Sequence, residues 1–203
     1  MADDQALPDC DELFTRFFDR WYDDASRTRK EFKATRPDAE PCADAGTSAS
    51  DASALIEKSA HKVLDQVNVM ARAAIADWSE PIGASPELDH DWIDAFDKYW
   101  DRERIADLIR EANPEEFSND YFVTCCEFGA ALGEVLIAHS PRCEWLADWP
   151  YWESAVYDRD SGYRINVFHW AIKKFSEYGV DDGLAAKLGC TVELIKNAWR
   201  QPE

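Results

Sequence analysis

The segment spanning residues 119–139, with its run DYFVTCCEFGAALGEVLIAH, constrains this chain more than any other stretch. Drawn as a helix it is apolar in nearly every direction, and such a helix must be enclosed by other elements or by lipid. Glu127 and Glu134 lie inside it, and two carboxylates in so short a run argue against a membrane span. The expectation is a buried helix at the centre of a folded domain. Gly129 and Gly133 are four residues apart and share one face of it. Each glycine costs about 1 kcal/mol relative to alanine inside a helix. Two on one face predict close approach of another backbone there. Asp120, Glu127 and Glu134, seven apart, make a thin polar strip.

The flanking sequence supplies elements to surround such a helix. Leu13, Phe14, Phe17, Phe18, Trp21 and Tyr22 follow helical spacing, which predicts a helix over residues 9–33 with Asp9 or Asp11 as its N-cap. Residues 34–53, with Pro37 and Pro41 among small polar residues and alanines, read as a flexible loop. Ile56, Ala60, Val63, Val67, Met70, Ala74 and Trp78 form one stripe, so a helix is predicted over 54–78. Pro81, Gly83 and Pro86 end it. A further helix is predicted over 90–112, closed by Asn113-Pro114.

Beyond Pro141 the hydrophobic period shortens to two. Tyr151, Glu153, Ala155 and Tyr157 would share one strand face, with Trp152, Ser154 and Val156 on the other. DRDSG, residues 158–162, is a turn signal, and Tyr163, Ile165 and Val167 continue the alternation as the second arm of a hairpin. Residues 143–147 are a candidate third strand. Helices are predicted over 168–178, 181–188 and 191–199. At 203 residues the chain fits a single domain, 1–203. Its class reads as α+β and mainly helical: a helical part over 1–112, then the central helix, a small antiparallel hairpin or three-stranded sheet, and C-terminal helices over 113–203.

Charge narrows the partners. Lys and Arg number 22 against 41 Asp and Glu, a formal net charge of −19. Residues 113–162 carry 10 acids against 2 bases, whereas residues 163–203 carry 5 against 6. Such a field repels nucleic acid and attracts a basic protein. The first fourteen residues have neither a basic nor an apolar segment of the signal-peptide kind, so the expected location is cytoplasmic, with the six cysteines reduced.

Within the acidic region, residues 143–158 read CEWLADWPYWESAVYD. Burying an indole removes about 150–250 Å² from water, at about 25 cal/mol per Å². Most of Trp145, Trp149, Tyr151 and Trp152 should therefore pack against the central helix. A ring left exposed among acids would suit a basic partner. The candidate partner-binding residues are Asp148, Trp149, Tyr151, Trp152, Glu153, Asp158 and Asp160.

Motifs for chemistry are few. Cys125, Cys126, His139 and Cys143 are the best set by ligand type, but the spacing lacks a C-x-x-C pair, so no metal and no cofactor is expected. His61, His90, His139 and His169 stand in no recognised nucleophile context. Gly-rich phosphate loops are absent. Glu134 lies in the most apolar helix and, if buried, would have a raised pKa or a cationic partner such as Arg164 or Lys173; a solvated or paired structural acid is the plainer reading. An enzyme using Glu134 or His169, in a cleft between the central helix and the hairpin, is one alternative. Residues 184–199 have the order of a helix-turn-helix around Gly189, but offer only Lys196 and Arg200 to DNA. A DNA-binding regulator is the other alternative.

Residues 128–175 contain a helix of the form G-x-x-L-G-E-x-L (Gly129, Leu132, Gly133, Glu134, Leu136), then Trp145, a short hairpin, and a helix carrying Phe168, Trp170 and Lys173. This resembles uncharacterised bacterial families of the immunity and polymorphic-toxin-associated type. Phe168 stands where the pattern often has proline. The resemblance covers about a quarter of the chain and implies no catalytic residue. With the charge, it gives the leading expectation: a non-enzymatic acidic protein that binds a basic protein partner, in its most concrete version an immunity-type or accessory protein that neutralises that partner.

Overall fold

The structure, a computed structural model, describes residues 6–22, 49–160 and 162–197, without the side chains of 49–59 and 194–197. Expectations for residues 23–48, and those for Trp199 and Arg200, lie outside the described residues. Among the described residues, seven helices, a small three-stranded antiparallel sheet and short 3-10 turns make an α+β, mainly helical fold.

Helix α1 is Cys10–Phe17. Its cap is Asp9, whose carboxylate accepts from the Glu12 N–H at 2.8 Å. The helix stops at Phe17 rather than continuing, because a 3-10 turn, Asp19–Trp21, tightens the chain. That turn sets Trp21 edge-on to Phe117 and Tyr22 edge-on to Trp152. Helix α2, Ala49–Trp78, begins inside the segment expected to be loop and ends where the stripe ends. Val63, Val67, Ala71 and Ala74 form its buried face.

The single helix predicted over 90–112 is two: α3, His90–Tyr99, and α4, Arg102–Glu111. Asp101 is the reason. Its carboxylate caps α4 by accepting from the Arg104 N–H at 3.0 Å, and the bend delivers Trp100 into the core.

Helix α5, Asp120–His139, is capped by Asn119, which accepts from the Phe122 N–H at 2.9 Å. Fourteen of its residues are buried. By length and composition it could cross a membrane, with a mean hydropathy of 1.5, but here the protein itself surrounds it. Phe17 stacks on Tyr121 at 4.4 Å, Phe18 meets Phe122 at 4.8 Å and Phe96 stacks on Phe128 at 4.1 Å. The longest helices, α2 and α5, lie side by side.

The sheet runs β1 (Cys143–Leu146), β2 (Ala155–Asp158), β3 (Arg164–Ile165), all antiparallel, with Trp145 opposite Val156 and Val156 opposite Ile165. The alternation predicted from Tyr151 begins only at Ala155. Tyr151–Glu153 is a 3-10 turn, preceded by a cis Trp149–Pro150 bond. A strand would have sent Tyr151 and Trp152 to opposite faces. The turn buries both.

Helix α6, Val167–Lys174, is shorter than predicted. Lys174 ends buried, pairing with Asp97 at 2.7 Å and donating to the Val180 carbonyl at 3.2 Å. The two short terminal helices predicted around Gly189 are one, α7, Leu184–Asn197. Leu184, Ala185, Leu188 and Val192 make one buried face across the glycine, and packing on α3 keeps the helix continuous. No turn separates a recognition helix, so the helix-turn-helix geometry is absent there.

Candidate partner-binding surface

Three of the four rings in the aromatic run pack inward. Trp145 lies over Gly133, where an added Cβ would fall inside the indole. Its Nε1–H donates to Glu134 Oε1 at 2.8 Å. Tyr151 lies edge-on to Phe168 at 6.0 Å. Trp152 packs edge-on to Phe122 at 5.1 Å, and its Nε1–H donates to the Tyr22 hydroxyl at 3.2 Å. Only Trp149 stays substantially open, at 39%. The glycine face attracts two neighbours of different kinds. At Gly129 an added Cβ would sit 2.9 Å from the Phe168 Cα, the close backbone approach that was expected. At Gly133 the neighbour is a side chain.

Burial removes part of the sequence-predicted docking set. Tyr151, Trp152 and Asp158 are 5%, 3% and 0% exposed, so none can touch a partner docking on this conformation. The other acids are engaged within the sheet. Asp160 pairs with Arg142 at 2.7 Å, Glu144 pairs with Arg159, and Asp148 lies 3.9 Å from Arg164. Asp148 also accepts from the Trp149 N–H at 2.9 Å. Glu153 accepts from the Tyr22 hydroxyl and faces His169 Nε2 at 3.8 Å. Burial, then the Glu153 charge, push the Tyr22 phenol far above its usual range, so it remains the donor. Three of the ten acids counted along residues 113–162 thus pair with arginines of the sheet, one of these, Arg164, from beyond that window. The ring that remains open is Trp149, whose backbone N–H donates to Asp148.

The acids without such answers lie elsewhere. Residues 77–91, joining α2 to α3, contain Asp77, Glu80, Glu87, Asp89 and Asp91 and neither Lys nor Arg. All five are exposed. None forms an ion pair among the described residues. Asp89 is occupied as the α3 cap, accepting from the Trp92 N–H at 2.8 Å. Sequence counting in broad windows missed this corner; a base-free run of fifteen residues was the signal that could have found it.

Glu134 and His169 do not share a site. Glu134 lines an open groove of roughly 490 Å³ with Asp65, Asn68 and Arg72 of α2 and Leu88, and its partner is Trp145 rather than Arg164 or Lys173. His169 is exposed and stacked on Phe14 at 5.6 Å. The space between α5 and the sheet, where a cleft was considered, is filled by Trp145, Tyr151, Val156 and Phe168. Cys125, Cys126 and Cys143 are buried, and burial pushes each thiol up, which keeps it protonated. Among the described residues no group of three or more His, Cys, Asp or Glu side chains could hold a metal ion.

No protein-family model, no curated protein and no solved structure matches this chain.

Proposed function

We propose that this protein acts in the cytoplasm by binding a basic protein partner, without chemistry of its own, in an immunity-type or other accessory role. The observation that carries the reading is the exposed, base-free α2–α3 corner in a chain of net charge −19. Fields of that kind raise association rates with cationic partners by about tenfold or more at low salt. Trp149, open beside Asp148, is the anchor expected to slow dissociation. The separation of Glu134 from His169 and the filled core between them favour binding over catalysis. The continuous α7 and the overall negative charge speak against DNA.

A lysine-rich probe such as poly-L-lysine tests the electrostatic half. Reversing Glu80, Glu87 and Asp91 to Lys should slow its association about tenfold and flatten the salt dependence. Reversing Glu144, Asp148 and Asp160 should do less, since their arginines already answer them. Equal association rates for the wild type and the corner variant at low salt sink the reading.

A further inference from the structure

Glu134 and α2 form the two walls of the open groove of roughly 490 Å³. On one wall the Glu134 carboxylate is fixed by Trp145, whose Nε1–H donates to Oε1 at 2.8 Å, while Oε2 carries no bond among the described residues. On the other wall Asp65, Asn68, Val69 and Arg72 are spaced three and four apart, so they share one side of α2. Asp65, Asn68 and Arg72 have no hydrogen bond or ion pair among the described residues. Carboxylates and a guanidinium thus line one space without meeting, and each keeps bonding capacity for something else. Between them lies apolar surface: Val69 is 49% exposed, and Ile75 and Leu88 are half-buried.

Two further observations narrow the occupant. The groove is open along its length, whereas a small molecule is held by a pocket that encloses most of its surface. A side chain carried on a protein segment suits an open groove better. Leu88 also stands between Glu87 and Asp89 of the base-free corner, so groove and corner adjoin. Counting both, the acids Asp65, Glu134, Glu87 and Asp89 surround a single arginine.

We propose that this groove seats an amphipathic basic segment of the protein partner. An aliphatic side chain lies on Val69, Ile75 and Leu88, lysine or arginine meets Glu134 and Asp65, and a carboxylate of the segment meets Arg72. The inference rests on the basic-partner reading above and adds selectivity to it. The corner attracts any cationic surface, but Arg72 repels a run of pure lysine, and the apolar strip rewards only a segment that brings an aliphatic group. Because Trp145 already orders the Glu134 carboxylate, gripping a cation there costs little further freedom.

Two labelled peptides test this on the full chain by fluorescence anisotropy: a helical leucine–lysine peptide carrying one glutamate, and the same peptide with every leucine changed to alanine. Their charges are equal. The leucine peptide should bind about tenfold tighter. Val69→Ser, at an exposed position, should bring the two within about twofold. Glu134→Gln, which keeps an acceptor for the Trp145 indole, should weaken the leucine peptide about threefold. A leucine peptide no tighter than its alanine counterpart overturns the proposal. So does an advantage that survives Val69→Ser, or an affinity untouched by Glu134→Gln. Dimerisation of the protein that Val69→Ser abolishes, seen by sedimentation, would give the groove to a second copy of the chain and overturn it as well. The corner is judged separately: if reversing Glu80, Glu87 and Asp91 leaves the alanine peptide's binding unchanged, the basic-partner reading fails, whatever the leucine peptide does.

Discussion

Two glutamates seven residues apart on α5 each accept an indole N–H, Glu127 from Trp78 at 2.7 Å and Glu134 from Trp145 at 2.8 Å. The surroundings make the two joints different. At the first, a helix end closes over the carboxyl, and burial raises its proton affinity. At the second, a glycine lets the indole lie flat on the helix, and the carboxyl looks into an open groove. The first joint ties α2 to the hub and is sensitive to charge. The second ties the sheet to the hub and is sensitive to shape. Identical partner chemistry therefore sits in a closed setting in one place and beside an open groove in the other.

Several substitutions separate these characters. Gly133→Leu should have the largest effect, a loss of about 3 kcal/mol in urea titrations, because the new side chain and the Trp145 ring cannot occupy one volume. Retention of wild-type stability would mean the indole does not rest there. Trp78→Phe comes next, at about 2 kcal/mol, since it strips a buried carboxyl of its donor. The same change should raise the proton affinity of Glu127 further, as the lost bond was the one lowering it. Trp145→Phe removes an equivalent bond from a half-buried carboxyl that water can solvate, so about 1 kcal/mol is expected. A larger loss for Trp145→Phe than for Trp78→Phe would invert the comparison. Smallest is Asp160→Asn on the sheet surface, under about 1 kcal/mol, because a pair with one half-exposed member is screened.

Much of the fold could be read along the chain, and the failures have local causes. The central helix, the stripe ending at Trp78, the hairpin turn after Asp158 and the third strand at residues 143–146 all stand where their patterns put them. Asp101 broke one predicted helix because a capping carboxylate in mid-run competes with periodicity that looks continuous. Gly189 failed to break another because a buried face on α3 outweighs the glycine penalty. The aromatic run was correctly expected to pack inward, but only the turn at Tyr151–Glu153 shows how both Tyr151 and Trp152 do so. On the candidate surface, the sequence showed the acids but not which arginines they meet. Arg142, Arg159 and Arg164 reach Asp160, Glu144 and Asp148 across strands that only pairing brings together.

By itself the sequence determined that residues 119–139 must be enclosed, since a helix apolar in nearly every direction has no stable place in water, and that the protein carries a strong negative field, since charge is additive along a chain. Tertiary structure alone decided which of two glutamates is buried, which tryptophan stays open and which acids remain unanswered. Those outcomes depend on distances between residues far apart in sequence, and burial and Coulomb energies change over a few ångströms of separation that no spacing along the chain encodes.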